Sequence, residues 1–202
     1  LLLSLAGKNG CFGMMRRSFG PQIRGGEAAA LVRIGHRPIE CMSDGFDLWL
    51  ALDWQNADRF ADEIALRPDS LIIADPAAGE TPVIVRELGL VIIEVPMKAL
   101  AKAVELGRPN MVALGLLTHW LDFCGDEAGR LIRQVFSRKG EEIVSGSLGA
   151  FNKGFTEPVI VEARETHGGP GSCDRDDSRS RWDLSGNEGC GLGALRGGIR
   201  FA

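Results

Sequence analysis

From residue 47 onward, short apolar runs alternate with stretches whose apolar residues recur at helical spacing, and this alternation narrows the possible folds more than any other feature. The runs at residues 47–52, 70–74 and 90–95 are apolar nearly throughout, as strands are when a parallel sheet is covered on both faces. Between the first two, residues 54–64 place Ala57, Phe60, Ala61 and Ile64 on one side of an amphipathic helix. Thr81 followed by Pro82 offers a helix start, a cap and then the residue preferred at the first helical position. The alternation predicts an α/β fold, a three-layer α/β/α sandwich with a largely parallel sheet.

The flanking segments fit this frame. Residues 1–8 read as the last turns of a helix stopped at Asn9-Gly10. Residues 11–16 read as a strand, and residues 27–34 as another because Val32 and Ile34 are β-branched. A Gly- and Pro-rich loop, residues 18–26, joins them. The later pattern is helical over residues 96–106, 110–123 (with Asn110 as cap), 126–139 and 141–155, the last two parted at Gly140. Residues 158–160 close the compact part. Residues 165–181 (ETHGGPGSCDRDDSRSR) have no apolar periodicity and read as a mobile linker whose charges cancel. A Gly/Ala-rich pattern resumes at Trp182.

Charge and cysteine usage exclude several functions. A formal net charge of -4 leaves no electrostatic footprint for nucleic acid. The longest apolar run, residues 111–117, is broken by Gly115 and is too short to cross a bilayer. No signal-peptide pattern stands at the N-terminus, so a cytoplasmic location is expected and a membrane partner is not. Cys11, Cys41, Cys124, Cys173 and Cys190 are widely spaced with no Cys-x-x-Cys pair, so no iron–sulfur or zinc ligand set is read here. Their odd number favours reduced thiols.

Chemistry is densest at residues 16–27, RRSFGPQIRGGE. Glycines let backbone approach a ligand closely, and arginines beside exposed N–H groups can hold a phosphate or carboxylate. The same residues also suit a tight turn with solvated arginines. Asp53-Trp54-Gln55-Asn56 stands at the C-terminal end of a predicted strand, where open α/β sheets place ligands, but Asp53 reads first as a helix cap. His119 reads as a packed histidine on an apolar helix. Asp122 and Asp126 read as flanking a turn, and His36 and His167 as loop residues.

The run SFGPQIRGGE (residues 18–27), continued by Ala28-Ala29-Ala30-Leu31, resembles the signature loop of the gamma domain in 2-oxoacid:ferredoxin oxidoreductases, closest to the form in which gamma and alpha domains share one chain. Three further stretches agree in order: FDLWLALDWQN (46–56), RPNMVALGL (108–116) and WDLSGNEGCGLGALR (182–196). The last is similar to the opening of the thiamine-binding alpha domain. The resemblance implies a gamma-type domain over residues 1–160, a linker over 161–181 and the start of an alpha domain over 182–202.

It also implies an activity: CoA-dependent oxidative decarboxylation of a 2-oxoacid, leaning to 2-oxoglutarate, with pyruvate or arylpyruvate as runners-up. Thiamine diphosphate would serve the carbanion chemistry and iron–sulfur clusters would pass electrons to ferredoxin, both groups lying with a partner beta subunit or beyond this chain. Within the signature loop, Ser18, Gly20, Gln22, Arg24, Gly25 and Gly26 are the candidate CoA or cofactor contacts. No catalytic residue is assigned, and Glu188 is not taken for the thiamine-activating acid. Family members open with a strand and Gly-rich turn ahead of the first helix, whereas this sequence opens within that helix. A first strand is therefore expected to be missing, leaving an inactive and aggregation-prone piece. A non-catalytic docking or nucleotide-binding module is the alternative from another class.

Overall fold

The computed structural model describes residues 1–19, 28–55, 57–60, 62–167 and 184–197. Helix α1 (Leu2–Lys8) opens the chain and stops where anticipated, with Gly10 at φ 80° turning the backbone out of the helix. Strands β1 (Phe12–Phe19) and β2 (Ala28–Gly35) then pair antiparallel, from Phe12↔Gly35 to Phe19↔Ala28. They form a two-stranded sheet of their own.

A second sheet carries the parallel strands, in the order β3 (Phe46–Ala51), β4 (Leu66–Ala74), β5 (Ile92–Glu94). Leu48, Trp49, Leu50 and Ala51 register with Leu71, Ile72, Ile73 and Ala74, and Ile72 with Ile92. Strand period decides which face each side chain covers. Leu71 and Ile73 enter a large core with Leu5, Val95, Met97, Val112, Leu116, Ile132 and Phe151. Ile72 and Ala74 enter a smaller one with Trp54, Ala57, Val85 and Leu90. The sheet is thus covered on both faces, and the chain has the three-layer α/β architecture read from its alternation.

The large layer consists of α1, α3 (Met97–Lys102), α4 (Pro109–Trp120), α5 (Gly125–Phe136), α6 (Glu141–Phe155) and α7 (Pro158–His167). Helix α4 is apolar on nearly all sides and is buried accordingly. It crosses α6 at two glycines. A Cβ at Gly115 would overlap the Phe151 carbonyl oxygen, and one at Gly154 would overlap that of Val112, so both positions must lack a side chain. Helix α5 buries Ala128, Leu131 and Ile132 and turns its charges to solvent.

Several local expectations are corrected. Residues 54–64 form no continuous helix: a 3-10 turn spans only Ala57–Phe60. The Trp54 N–H donates to the Ala78 carbonyl at 2.8 Å, and Gln55 N–H donates to Asp53 Oδ1 at 2.7 Å. These bonds pin the segment before a helix can propagate, while Ala57, Phe60 and Ile64 still reach the interior. Thr81 does not cap α2 (Val83–Leu88), whose cap position is Pro82. Helix α4 is entered from Arg108 with Pro109 in its first turn, not capped by Asn110, because the fixed proline φ already suits that position.

Helix α3 ends at Lys102, short of residue 106, in a turn where Leu106 has φ 56°. Helix α7 continues past residue 160 to His167, so residues 161–167 extend the helical layer where the linker was expected, and Ala163 is buried in the core. Linker residues 168–181 lie outside the described residues. Cys41, Cys124 and Cys190 are free thiols. Cys11 is buried. No described helix is long and apolar enough to cross a membrane.

Candidate functional site

The C-terminal edge of a parallel sheet is where strand ends present polar groups beside loops. Here that edge is built on Asp75, which follows β4 and is only 3% exposed. Its Oδ1 accepts from Ala77 N at 2.8 Å and its Oδ2 from Lys98 N at 2.6 Å, so one carboxylate ties the end of β4 to the first turn of α3. The Lys98 ammonium donates to the Ala77 carbonyl at 3.0 Å and stands 3.7 Å from Asp53 Oδ2. Asp53 and Asp75, from neighbouring strand ends, are thereby both engaged by backbone N–H groups and joined through Lys98. This is a latch that fixes the loops. Asp53 caps a turn and not the helix expected from the sequence; Asp75 and Lys98 were not read as site residues, although an Asp-Pro pair at a strand end is a signal for such a turn.

Beside the latch lies a cavity of about 570 Å³, lined by Trp54, Gln55, Arg86 and the carboxylates of Asp53, Asp58 and Glu80. Arg86 is paired with Glu80 at 3.2 Å. With carboxylates in excess of arginine, this cavity does not suit a polyphosphate.

Of the six candidate loop residues, Ser18 is described and Gly20, Gln22, Arg24, Gly25 and Gly26 lie outside the described residues. The Ser18 hydroxyl donates to Glu63 Oε1 at 2.8 Å, and Arg16 Nη2 stands 3.3 Å from Glu63 Oε2. The loop thus springs from a strand end held by a Ser18–Glu63–Arg16 cluster, in which Glu63 bridges to the turn after β3. His119 is half-buried with its ring edge-on to Phe155 at 5.4 Å, as expected of a packed histidine.

At the other end of the chain, α8 (Gly186–Arg196) starts with a reciprocal cap. Ser185 N donates to Glu188 Oε2 at 2.7 Å and Glu188 N to Ser185 Oγ at 3.2 Å. The bonds to Ser185 hold the exposed Glu188 carboxyl below its ordinary value. Glu188 is thus a capping residue here.

The described residues include no group of three or more His, Cys, Asp or Glu placed to share a metal ion. They offer no ligand set for an iron–sulfur cluster.

A family model for pyruvate ferredoxin/flavodoxin oxidoreductase matches residues 1–157. The chain belongs to this family. Among solved structures, it is similar to a 2-oxoglutarate:ferredoxin oxidoreductase from Magnetococcus marinus with 2-oxoglutarate, coenzyme A and succinyl-CoA bound. The two are 25% identical with a TM-score of 0.71, over 98% of this chain and 34% of that one, so the chain spans about a third of the solved relative. No curated protein matches it. For this family member, the matched region ends just before α7 and covers both sheets and helices α1–α6.

Proposed function

We propose that this chain is the gamma-type domain of a 2-oxoacid:ferredoxin oxidoreductase subunit, serving the CoA-dependent oxidative decarboxylation of a 2-oxoacid, with 2-oxoglutarate preferred. The observation that carries this reading is the family match across the whole sheet-bearing region, residues 1–157. The bound 2-oxoglutarate, CoA and succinyl-CoA of the solved relative support the substrate and the acyl acceptor. In the reaction, the bond between the carboxylate and the keto carbon breaks to release CO2, the thiol of CoA takes the acyl group, and a pair of electrons passes to ferredoxin. Thiamine diphosphate supplies the carbanion stabilisation when bound, and it is placed in this reading with a beta subunit or the rest of the alpha domain.

This chain's own part is support and positioning. The carboxylates of Asp53 and Asp75 accept from backbone N–H groups and so fix the loops at the described sheet edge. Within the same reading, Arg24 and its glycine neighbours Gly20, Gly25 and Gly26, with Ser18 and Gln22, are the candidate contacts for CoA or the substrate. The acid-lined cavity beside Asp53 is not one, because its charge repels phosphates.

The chain should be co-expressed with its thiamine- and cluster-bearing partner and assayed for CoA-dependent ferredoxin reduction with 2-oxoglutarate, pyruvate and an arylpyruvate. Fastest turnover with 2-oxoglutarate is expected, and no activity from the chain by itself. Stable capture by partners lacking thiamine and clusters, with no 2-oxoacid turnover, would instead favour a non-catalytic docking module. Within the complex, Arg24→Ala should lower kcat/KM at least tenfold with assembly intact. Parallel loss of folding and assembly would make the loop structural.

A further inference from the structure

Helix α5 carries its apolar stripe one turn further than the core follows it. Ala128, Leu131, Ile132 and Val135 recur at the three- and four-residue spacing that lines one face of a helix. The first three are buried, whereas Val135 is 49% exposed. Phe136 beside it is half-buried and packs against the large core. The backbone is still helical at Ser137 and continues into a 3-10 turn, Ser137–Lys139. Arg138 and Lys139 stand three and four residues beyond Val135 and so flank it one turn on.

Positive charge collects at the same place. Residues 130–139 (RLIRQVFSRK) hold Arg130, Arg133, Arg138 and Lys139 with no acid among them, in a chain of net charge -4. Arg130 is paired with Glu127. Arg133, Arg138 and Lys139 are exposed, and among the described residues no carboxylate forms an ion pair with them. Lys139 instead lies 5.1 Å over the Phe136 ring, a cation–π contact. Glu141 and Glu142 bound the patch where α6 begins, and there the dipole of α6 favours them. The dipole of α5 favours cations at its own C-terminal end, but it gives no reason for an uncovered valine among them.

We propose that the end of α5 is a docking site for an acidic protein segment, which sets an apolar side chain on Val135 and carboxylates against Arg133, Arg138 and Lys139. Charge complementarity selects this occupant. An apolar centre with arginine at its rim is the make-up of protein–protein contacts. Three unpaired cations release too few counterions to hold nucleic acid on a chain that is otherwise negative. They also fall short of the roughly four to eight cations that bind an anionic membrane surface. A second copy docked face to face would bring the same cations against these. The inference concerns a surface of this chain and does not depend on the reaction assigned to it.

The probe is a fluorescein-labelled peptide with a leucine stripe flanked by glutamates, its anisotropy followed as the chain is added. Saturable binding that weakens with added salt is expected. Arg138→Glu combined with Lys139→Glu should weaken it about tenfold or more, and Val135→Ser about threefold. Arg37→Glu, at an exposed cation outside the patch, should leave it unchanged. All of these positions are exposed, so the variants keep the fold, which circular dichroism verifies. No saturation at millimolar peptide, equal binding of a peptide with glutamine in place of glutamate, or an equal effect of Arg37→Glu overturns the proposal. So does an unchanged affinity in Val135→Ser. A single-stranded oligonucleotide and phosphatidylserine vesicles are run in parallel; tighter binding of either, lost in the double charge reversal, identifies a different occupant and overturns this one. Concentration-dependent dimerisation lost in the same variant overturns it in favour of a second copy.

Discussion

Asn9 shows how one buried polar side chain joins distant segments. It is 3% exposed; its Nδ2 donates to the Leu5 carbonyl at 2.8 Å, and its Oδ1 accepts from Cys124 N at 3.0 Å, linking the end of α1 to the entry of α5. Asn9→Ala leaves the Cys124 N–H without that acceptor and should cost on the order of 1–3 kcal/mol in urea unfolding. Asp75→Ala orphans two N–H groups and should cost at least as much, whereas Asp75→Asn retains an acceptor and recovers part of the loss. Glu188 gives a pH prediction. Its carboxyl titrates below the ordinary glutamate range, so the capping contribution to α8 is complete above the unfolded value and is lost as pH falls through the lowered one. An NMR titration should show this lowering in the native chain and its loss in Ser185→Ala; identical titrations would dissociate the shift from the cap. The sequence disclosed Asn9 only as a helix stop and did not single out Asp75, because the partners Cys124 and Lys98 are remote along the chain.

Among the elements, the α4–α6 crossing is the tightest. Gly154→Ala drives a methyl into the Val112 carbonyl and should destabilise by about 1–3 kcal/mol or more. Gly129→Ala on α5 meets only Leu148 at 3.8 Å and should instead be neutral or stabilising by up to ~1 kcal/mol. Equal thermal shifts for the two would remove the argument that close backbone approach fixes this crossing. Helix α6 was legible to the residue, since Gly140 and Phe155 bracket an uninterrupted helical pattern. Residues 54–64 were not: their apolar spacing is satisfied equally by a helix and by a 3-10 turn pinned at Trp54 and Asp53. The long-range bond from Trp54 to Ala78 decides between them, and no local pattern encodes it.

For the whole molecule, strand–helix alternation was enough for the three-layer α/β class, because the period of each segment assigns its faces. The separation into two sheets was not legible. The apolar sequence of β3 reads as a central strand, and the structure leaves it beside an open cleft. The candidate loop was legible as a chemical possibility, and its root at Ser18 is now placed against Glu63 and Arg16. Under the proposed function, the chain works as one part of a larger oxidoreductase. The decisive measurement is ferredoxin reduction by the complex containing this chain, with 2-oxoglutarate supplied and CoA present or omitted. The account predicts reduction that requires both and yields succinyl-CoA; a correctly assembled complex that turns over no 2-oxoacid in the presence of CoA would contradict it.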